Sequence, residues 1–212
     1  MKAQKKTAKP TDAKRLAEIY NIAARIICDK GFDAMSMNDI ARAVGMTKAG
    51  LYHYIHGKKE MLFEIMSYGM DMLDQGVIAP ASQIEDPELR LRTIIYNHAQ
   101  LITKGSNAIT VLVDEVAGLS PANRKKIRQR KRVYFDFVRD TLERLKSAGK
   151  LAEVNTTVAA FSILGMLLWI SRWYDASGKL TAEQVSDEIL KVAVGGTLRS
   201  PQRLLRSALK SN

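Results

Sequence analysis

Ser36-Met-Asn-Asp-Ile-Ala-Arg-Ala-Val-Gly-Met-Thr-Lys-Ala-Gly-Leu-Tyr-His-Tyr-Ile-His-Gly-Lys-Lys-Glu60 encodes two short helices on either side of a glycine. Ser36 is a good N-cap, and Asp39 offers the return half of a capping box, where Glu or Gln is usual. Met37, Ile40, Ala41 and Val44 recur at helical spacing and form one apolar stripe. Gly45 supplies the positive φ that an abrupt helix stop needs. Thr47 caps a second helix two residues later, with Leu51 and Ile55 as its inward face. A second helix so placed is the one that enters the DNA major groove N-terminus first. Thr47, Lys48, Ala49 and Gly50 lie at that N-terminus and, with His53, are the expected readers of base edges. Tyr52, Tyr54, Lys58 and Lys59 offer hydroxyls and cations to flanking phosphates, and Ser36 is counted with the DNA-contact set.

Composition agrees with a polyanionic partner. The 212 residues hold 33 Lys and Arg against 22 Asp and Glu, a net charge of +11. Nucleic acid is the first expectation from such an excess, an anionic membrane or a phosphorylated ligand the next. The lone cysteine, Cys28, excludes an intramolecular disulfide framework and fits a reducing cytoplasm. It falls within an apolar helical pattern, so a buried thiol is expected. The Lys-rich start has no apolar segment behind it, as a signal peptide would. The apolar run 158–170 is short for a bilayer span. A soluble, cytoplasmic protein follows, nucleoid-associated when bound to DNA.

Several residues around the opening stretch carry a resemblance. Gly31-Phe32, Ser36, Ile40-Ala41, Val44-Gly45-Met46, Leu51-Tyr52-His53-Tyr54-Ile55 and Lys58-Lys59-Glu60-Met61-Leu62 resemble the DNA-binding domain of the TetR family of transcriptional regulators. The pattern covers residues 14–62. Ile55 stands where the family usually has Phe, and His56-Gly57 where it often has Pro/Ser or Gly/Ser. The resemblance implies an all-α protein of about nine helices, a dimeric repressor on a palindromic operator, and a C-terminal domain that holds a small molecule. It also implies that ligand binding moves the helix beginning near Lys58. Trp169-Ile-Ser-Arg-Trp-Tyr-Asp175, with Gly178, Leu180 and Thr181, is similar to a subgroup that includes regulators of fatty-acid and steroid breakdown, several of them responsive to acyl-CoA thioesters.

The rest of the chain reads as helices. Residues 1–12 form a basic arm with almost nothing apolar, expected to be disordered when free. Residues 13–57 make the helix-turn-helix domain, opened by a helix to Lys30 with Leu16, Ile19, Tyr20, Ala23, Ile26 and Ile27 inward. Residues 58–198 form the ligand-binding and dimerisation domain, and 199–212 a basic tail. Within the second domain a helix runs from Lys58 past Leu73. Pro80 and Asp86-Pro87 predict a loop over 76–87. Helices follow over 88–104 and 107–117, then a long one from Ser120-Pro121 to Gly149. Val113 and Val116 belong to the second of these, and Asp114-Glu115 is an isolated acidic pair. Seven of the nine residues from Arg124 to Arg132 are Lys or Arg, at the end of a helix where cations oppose the macrodipole. They form either an anion site or a solvated face. Residues 155–175 are apolar nearly all round, so that helix needs covering on every side. Thr181 caps the last helix.

Two helices from each of two chains would make a four-helix dimer interface, with Val158, Leu164, Val185, Ile189 and Val192 as candidates. An acyl chain would need an apolar tunnel, for which Met66, Met70, Ile95, Leu112, Phe137, Phe161 and Leu168 are candidates. Arg128 and Arg172 could meet phosphates of a CoA portion, and Trp169 or Trp173 could stack on its adenine. The effector is thus expected to be hydrophobic, an acyl-CoA by preference. The alternatives are a drug-efflux regulator sensing cationic lipophilic compounds and, from another class, a non-specific nucleoid-type DNA protein. His53, His56 and His98 have no metal-ligand spacing, and no nucleophile or phosphate-loop motif is present. No catalytic residue, metal or cofactor is expected, and the reading is of a regulator rather than an enzyme.

Overall fold

The structure is a computed structural model that describes residues 10–114 and 116–198, with side chains from 13 to 112 and from 117 to 198. The basic arm before residue 10, the tail from 199, Glu115 and the side chains of Val113, Asp114 and Val116 lie outside the described residues. The described chain is helical: α1 Pro10–Lys30, α2 Met37–Ala43, α3 Lys48–Tyr54, α4 Lys58–Leu73, α5 Ala79–Ser82, α6 Pro87–Thr103, α7 Asn107–Asp114, α8 Pro121–Ser147, α9 Thr156–Trp173 and α10 Ala182–Thr197. A π-turn at Asp74–Ile78 joins α4 to α5 without a break, which leaves nine separate helical bodies among the described residues. Extended pairing among them is confined to one isolated bridge, Leu151 with Leu198.

Two compact units divide the described helices, one within residues 10–72 and 105–131, the other within 73–104 and 132–198. In the first, α1 packs on α2 and α7. Its core is Ile19, Ala23, Ile27, Met35, Ile40, Leu51, Ile55, Leu62 and Ile65, each at most 2% exposed. Phe32 is also buried, in the connection between α1 and α2. Arg15 on α1 donates to the Val44 carbonyl at 2.7 Å, so the open end of α2 is satisfied by a side chain from another helix. Cys28 is exposed, contrary to the expected buried thiol. One residue further along a helix turns the side chain by about 100°, and Ile27, not Cys28, takes the inward position.

In the second unit α6 is central, packed against α9, α10, the π-turn and α5. The expected loop over 76–87 is largely helical. The π-turn ends with the Ala79 N–H on the Asp74 carbonyl, and Pro80 sits in the first turn of α5. Pro80 has no N–H to give the carbonyl of Gly76 four residues back, and that carbonyl accepts from Asn97 Nδ2 at 3.0 Å instead. Asp86 does open α6, accepting from the Leu89 N–H at 2.8 Å. Asn155 caps α9 and Thr181 caps α10 with a complete capping box.

α9 is more apolar in extent than the 158–170 run alone. Its 18 residues are long and apolar enough, by length and composition, to cross a membrane, though a third of them are buried inside the protein. Thr156, Ala159, Ala160, Ile163, Leu167 and Ile170 form the buried side. The opposite side, at Val158, Phe161 and Trp169, is over 60% exposed.

Candidate nucleic-acid interface and effector region

The α2–α3 turn is built by side-chain caps. Ser36 Oγ accepts the Asp39 N–H at 3.1 Å, and the Asp39 carboxylate accepts the Ser36 N–H at 3.1 Å and its hydroxyl at 2.8 Å. Asp39 thus completes the box in the place usual for Glu or Gln, and the Ser36 hydroxyl, then the Ser36 N–H, hold its carboxyl below its ordinary range. Gly45 follows α2 at φ +66°, and the Met46 N–H returns to the Ala41 carbonyl at 2.8 Å. Thr47 Oγ1 then accepts the Gly50 N–H at 3.0 Å. Leu51 and Ile55 anchor α3 in the core.

This bonding sorts the expected DNA contacts. Thr47, Lys48, Ala49, Tyr52 and His53 are exposed along α3, and Tyr54 is half-buried with its ring edge-on to His53 at 5.6 Å. The Thr47 oxygen is used by the cap, while its proton stays available for an acceptor. Ser36 differs, because its one hydroxyl proton goes to Asp39, so its structural role is the cap. Gly50 is small for an internal reason as well. A Cβ there would stand 3.2 Å from Thr47 Oγ1. Lys58 is engaged too, its Nζ donating to the Asp33 carbonyl at 2.8 Å and lying 4.6 Å from the Phe32 ring centre. It pins the 31–36 connection to the start of α4. Lys48, Lys59 and Arg42 are the exposed cations nearest this turn in the chain. Arg42, in the last turn of α2, was not among the expected contacts, because its position outside the second helix gives no spacing signal.

The expected effector residues divide between the units. In the first, Met66, Met70 and Leu112 are buried and Arg128 is exposed. Gly69 makes that packing close, since a Cβ there would lie 2.7 Å from the Ala108 carbonyl oxygen. In the second, Ile95 is buried and Phe137 and Leu168 are half-buried. Phe161, Trp169 and Trp173 instead sit on the exposed side of α9, with Arg172, and Phe161 stacks on Phe135 at 4.4 Å. Phe161 does not line an interior tunnel of its unit, because the inward positions of α9 go to the smaller Ala159, Ala160, Ile163 and Leu167. Val158 and Val192 share that exposure, and Leu164 and Ile189 are half-buried. Val185 drops out of the expected interface, being 2% exposed within its own unit.

The basic run at the start of α8 is partly committed. Arg124 donates to the Ala117 and Leu119 carbonyls, Lys126 lies 5.5 Å from the Phe63 ring centre, and Lys131 donates to the Leu112 carbonyl. Arg130 meets Ser67 and Asp71. These cations offset their unfavourable place at a helix N-terminus by capping carbonyls and pairing with α4. Two further features were not anticipated. An open groove of about 360 Å³ in the second unit is lined by Gly76, Tyr96, Asn97, Gln100, Leu101, Lys104 and Glu183. The buried pair His98 and Tyr134 is joined by a 3.0 Å hydrogen bond. Among the described residues no cluster of His, Cys, Asp and Glu could hold a metal.

Comparison with known proteins accounts for both halves. Residues 19–65 match the bacterial regulatory proteins of the tetR family, and residues 85–197 match the tetracyclin repressor-like C-terminal domain. Among solved structures the chain is 40% identical to AibR, crystallised in complex with isovaleryl coenzyme A and operator DNA, with a TM-score of 0.77 over 84% of this chain and 97% of that one. It is 30% identical to the TetR family transcriptional regulator PfmR from Thermus thermophilus, with a TM-score of 0.75 over 84% and 97% of the two chains. The HTH-type transcriptional repressor KstR2 of Mycobacterium tuberculosis is 24% identical over 188 residues, 86% of this chain and 92% of the relative. With a capped helix-turn-helix at α2–α3 and both domains matched, the protein belongs to the TetR family of DNA-binding transcriptional regulators.

Proposed function

We propose that the protein is a homodimeric, cytoplasmic repressor that binds a palindromic operator and is released from it by a hydrophobic effector, an acyl-CoA thioester. The observation that carries the DNA half is the arrangement of α3. The Thr47 cap and two buried side chains hold this helix beyond the Ser36-capped α2, while Lys48, Ala49, Tyr52 and His53 face outward. Thr47, Lys48, Ala49, Gly50 and His53 read bases. Tyr52 and Tyr54 donate hydrogen bonds to phosphates, the exposed Lys59 neutralises one, and Ser36 and Lys58 position the turn. A two-fold dimer would present two such helices to successive major grooves, about 34–36 Å apart. The exposed apolar side of α9, with Val192 of α10, offers a surface for that dimer.

Similarity to AibR, with its bound isovaleryl coenzyme A, supports the effector class. The exposed Arg128 is available to CoA phosphates, and the methionines and half-buried apolar residues suit acyl chains of varied length.

The experiment is a thermal-shift titration against acyl-CoAs, free fatty acids and cationic drugs, followed by operator release. A ligand at a hundred times its dissociation constant adds about 2.7 kcal/mol per site. Acyl-CoAs should shift the transition and release operator DNA. A shift with cationic drugs alone would replace the effector class by that of an efflux regulator. Operator preference below about a thousandfold at physiological salt would replace the specific regulator by a nucleoid-type protein.

A further inference from the structure

His98 lies on the inward face of α6 with Ile94, Ile95 and Ile102, and its ring is almost fully buried. Its Nδ1 is 3.0 Å from the hydroxyl of Tyr134 on α8, which is equally enclosed. Its Nε2 is buried with no hydrogen-bond partner among the described residues. An apolar helix face rarely carries an imidazole with one nitrogen left over, because an orphaned buried polar atom is costly.

The tautomer follows from counting protons. The Tyr134 hydroxyl has one proton, and among the described residues Nδ1 is the acceptor within its reach. If Tyr134 donates, Nδ1 accepts and Nε2 carries the imidazole hydrogen. The reverse assignment would leave the tyrosine proton buried without an acceptor and Nε2 bare as well. Burial also holds the imidazole neutral, its pKa lowered to about 4. The group at Nε2 is therefore an uncharged donor in apolar surroundings. A cation has no lone pair to offer it. A carboxylate would bring a charge that nothing there offsets. A neutral carbonyl oxygen fits on both counts.

We propose that the Nε2–H of His98 is the donor that recognises the carbonyl oxygen of the effector, with Tyr134 as the positioning residue that fixes the imidazole tautomer. This rests on the effector reading above and deepens it. The second unit selects for a thioester or ketone oxygen, not merely for an apolar chain.

The test compares isovaleryl-CoA with its thioether analogue S-(3-methylbutyl)-CoA, which lacks only that oxygen. Binding to the full chain is measured by calorimetry. Wild type should prefer the thioester by about tenfold, the worth of one buried hydrogen bond. His98→Phe should bind both at the thioether's affinity, and Tyr134→Phe should keep only part of the preference. A thioester preference that survives in His98→Phe, or its absence in wild type, overturns the assignment and leaves the effector class standing. Failure of both compounds to bind wild type overturns the acyl-CoA reading and this assignment with it. Should His98→Phe not fold, the imidazole ¹⁵N spectrum of wild type decides. A protonated Nε2 that moves on adding the thioester and not the thioether supports the donor role. An unmoved signal in the bound state overturns it.

Discussion

Asp71 accepts a hydrogen bond from the Arg130 guanidinium at 2.7 Å, and the same guanidinium donates to the Ser67 carbonyl at 3.1 Å. Residues 67 and 71 are one helical turn apart, so a single side chain spans a turn of α4. Both partners are part-exposed, which limits the pair to about 1 kcal/mol or less. Arg130→Gln should therefore lower unfolding stability modestly, and by less in 1 M salt, as denaturant titrations at two salt concentrations would show. Arg128, exposed at the same end of α8, should be silent in that assay. Arg128→Gln is then the cleaner probe of CoA phosphates, and it should weaken an acyl-CoA while sparing a free fatty acid of equal chain length.

Gly69 has no room for a methyl group. Its added Cβ would lie 2.7 Å from a backbone oxygen of α7, which cannot rotate away as a side chain would. Gly69→Ala should cost about 1–3 kcal/mol, the usual range for an overpacked site. Chemical denaturation measures it, and a variant as stable as wild type would show that α4 and α7 separate freely.

Capping and contact can be separated at Thr47. Thr47→Ala removes the oxygen that accepts the Gly50 N–H and should cost about 1 kcal/mol. Thr47→Ser keeps the cap and should recover that stability. Thermal unfolding without DNA reads the cap, and operator binding reads the remaining proton.

Phosphate contacts are predicted to act uniformly on all sequences. Tyr52→Phe should weaken operator and unrelated DNA by the same factor. Lys59→Gln should flatten the plot of log affinity against log salt by about 0.9 if the exposed Lys59 neutralises one phosphate. Fluorescence anisotropy over a salt series tests both, and a changed sequence preference at unchanged affinity would contradict the phosphate role of Tyr52.

The His98 imidazole should leave a mark on acid stability. Its folded pKa is lowered to about 4 by burial, while an unfolded histidine titrates near 6.5. Between those values the unfolded chain binds the proton and the folded one does not. Stability is thus full above about pH 6.5 and falls as the pH drops towards 4, by up to about 1.4 kcal/mol per pH unit. His98→Gln should flatten that slope in denaturant melts taken from pH 7 to 4.5.

Local features were legible in the sequence where one short segment determines them. The Ser36, Thr47, Asp86 and Thr181 caps and the Gly45 stop depend on neighbours three or four residues away, and they fall where the pattern put them. Pro80 misled because its tolerance depends on a π-turn, which no residue pattern announces. Cys28 misled because an apolar residue type stands one position off the inward stripe. The aromatic residues of α9 point to covering without saying by what, so the pattern places Phe161 in a tunnel though it lies, with Trp169 and Trp173, on the exposed side. His98 and Tyr134 are 36 positions apart, and only folding brings their rings together.

The caps of α2 and α3 have an evolutionary corollary. The caps of α2 and α3 come from Ser36, Asp39 and Thr47, Arg15 closes the end of α2, and Leu51 and Ile55 anchor α3 in the core. Lys48, Ala49 and His53 stand outside that set. On the proposed reading, their substitution would alter what is read without touching those caps and anchors. A duplicated copy of this gene could drift to a new operator through those three positions while its folding stayed under the same selection. Engineered specificity should start from the same three positions.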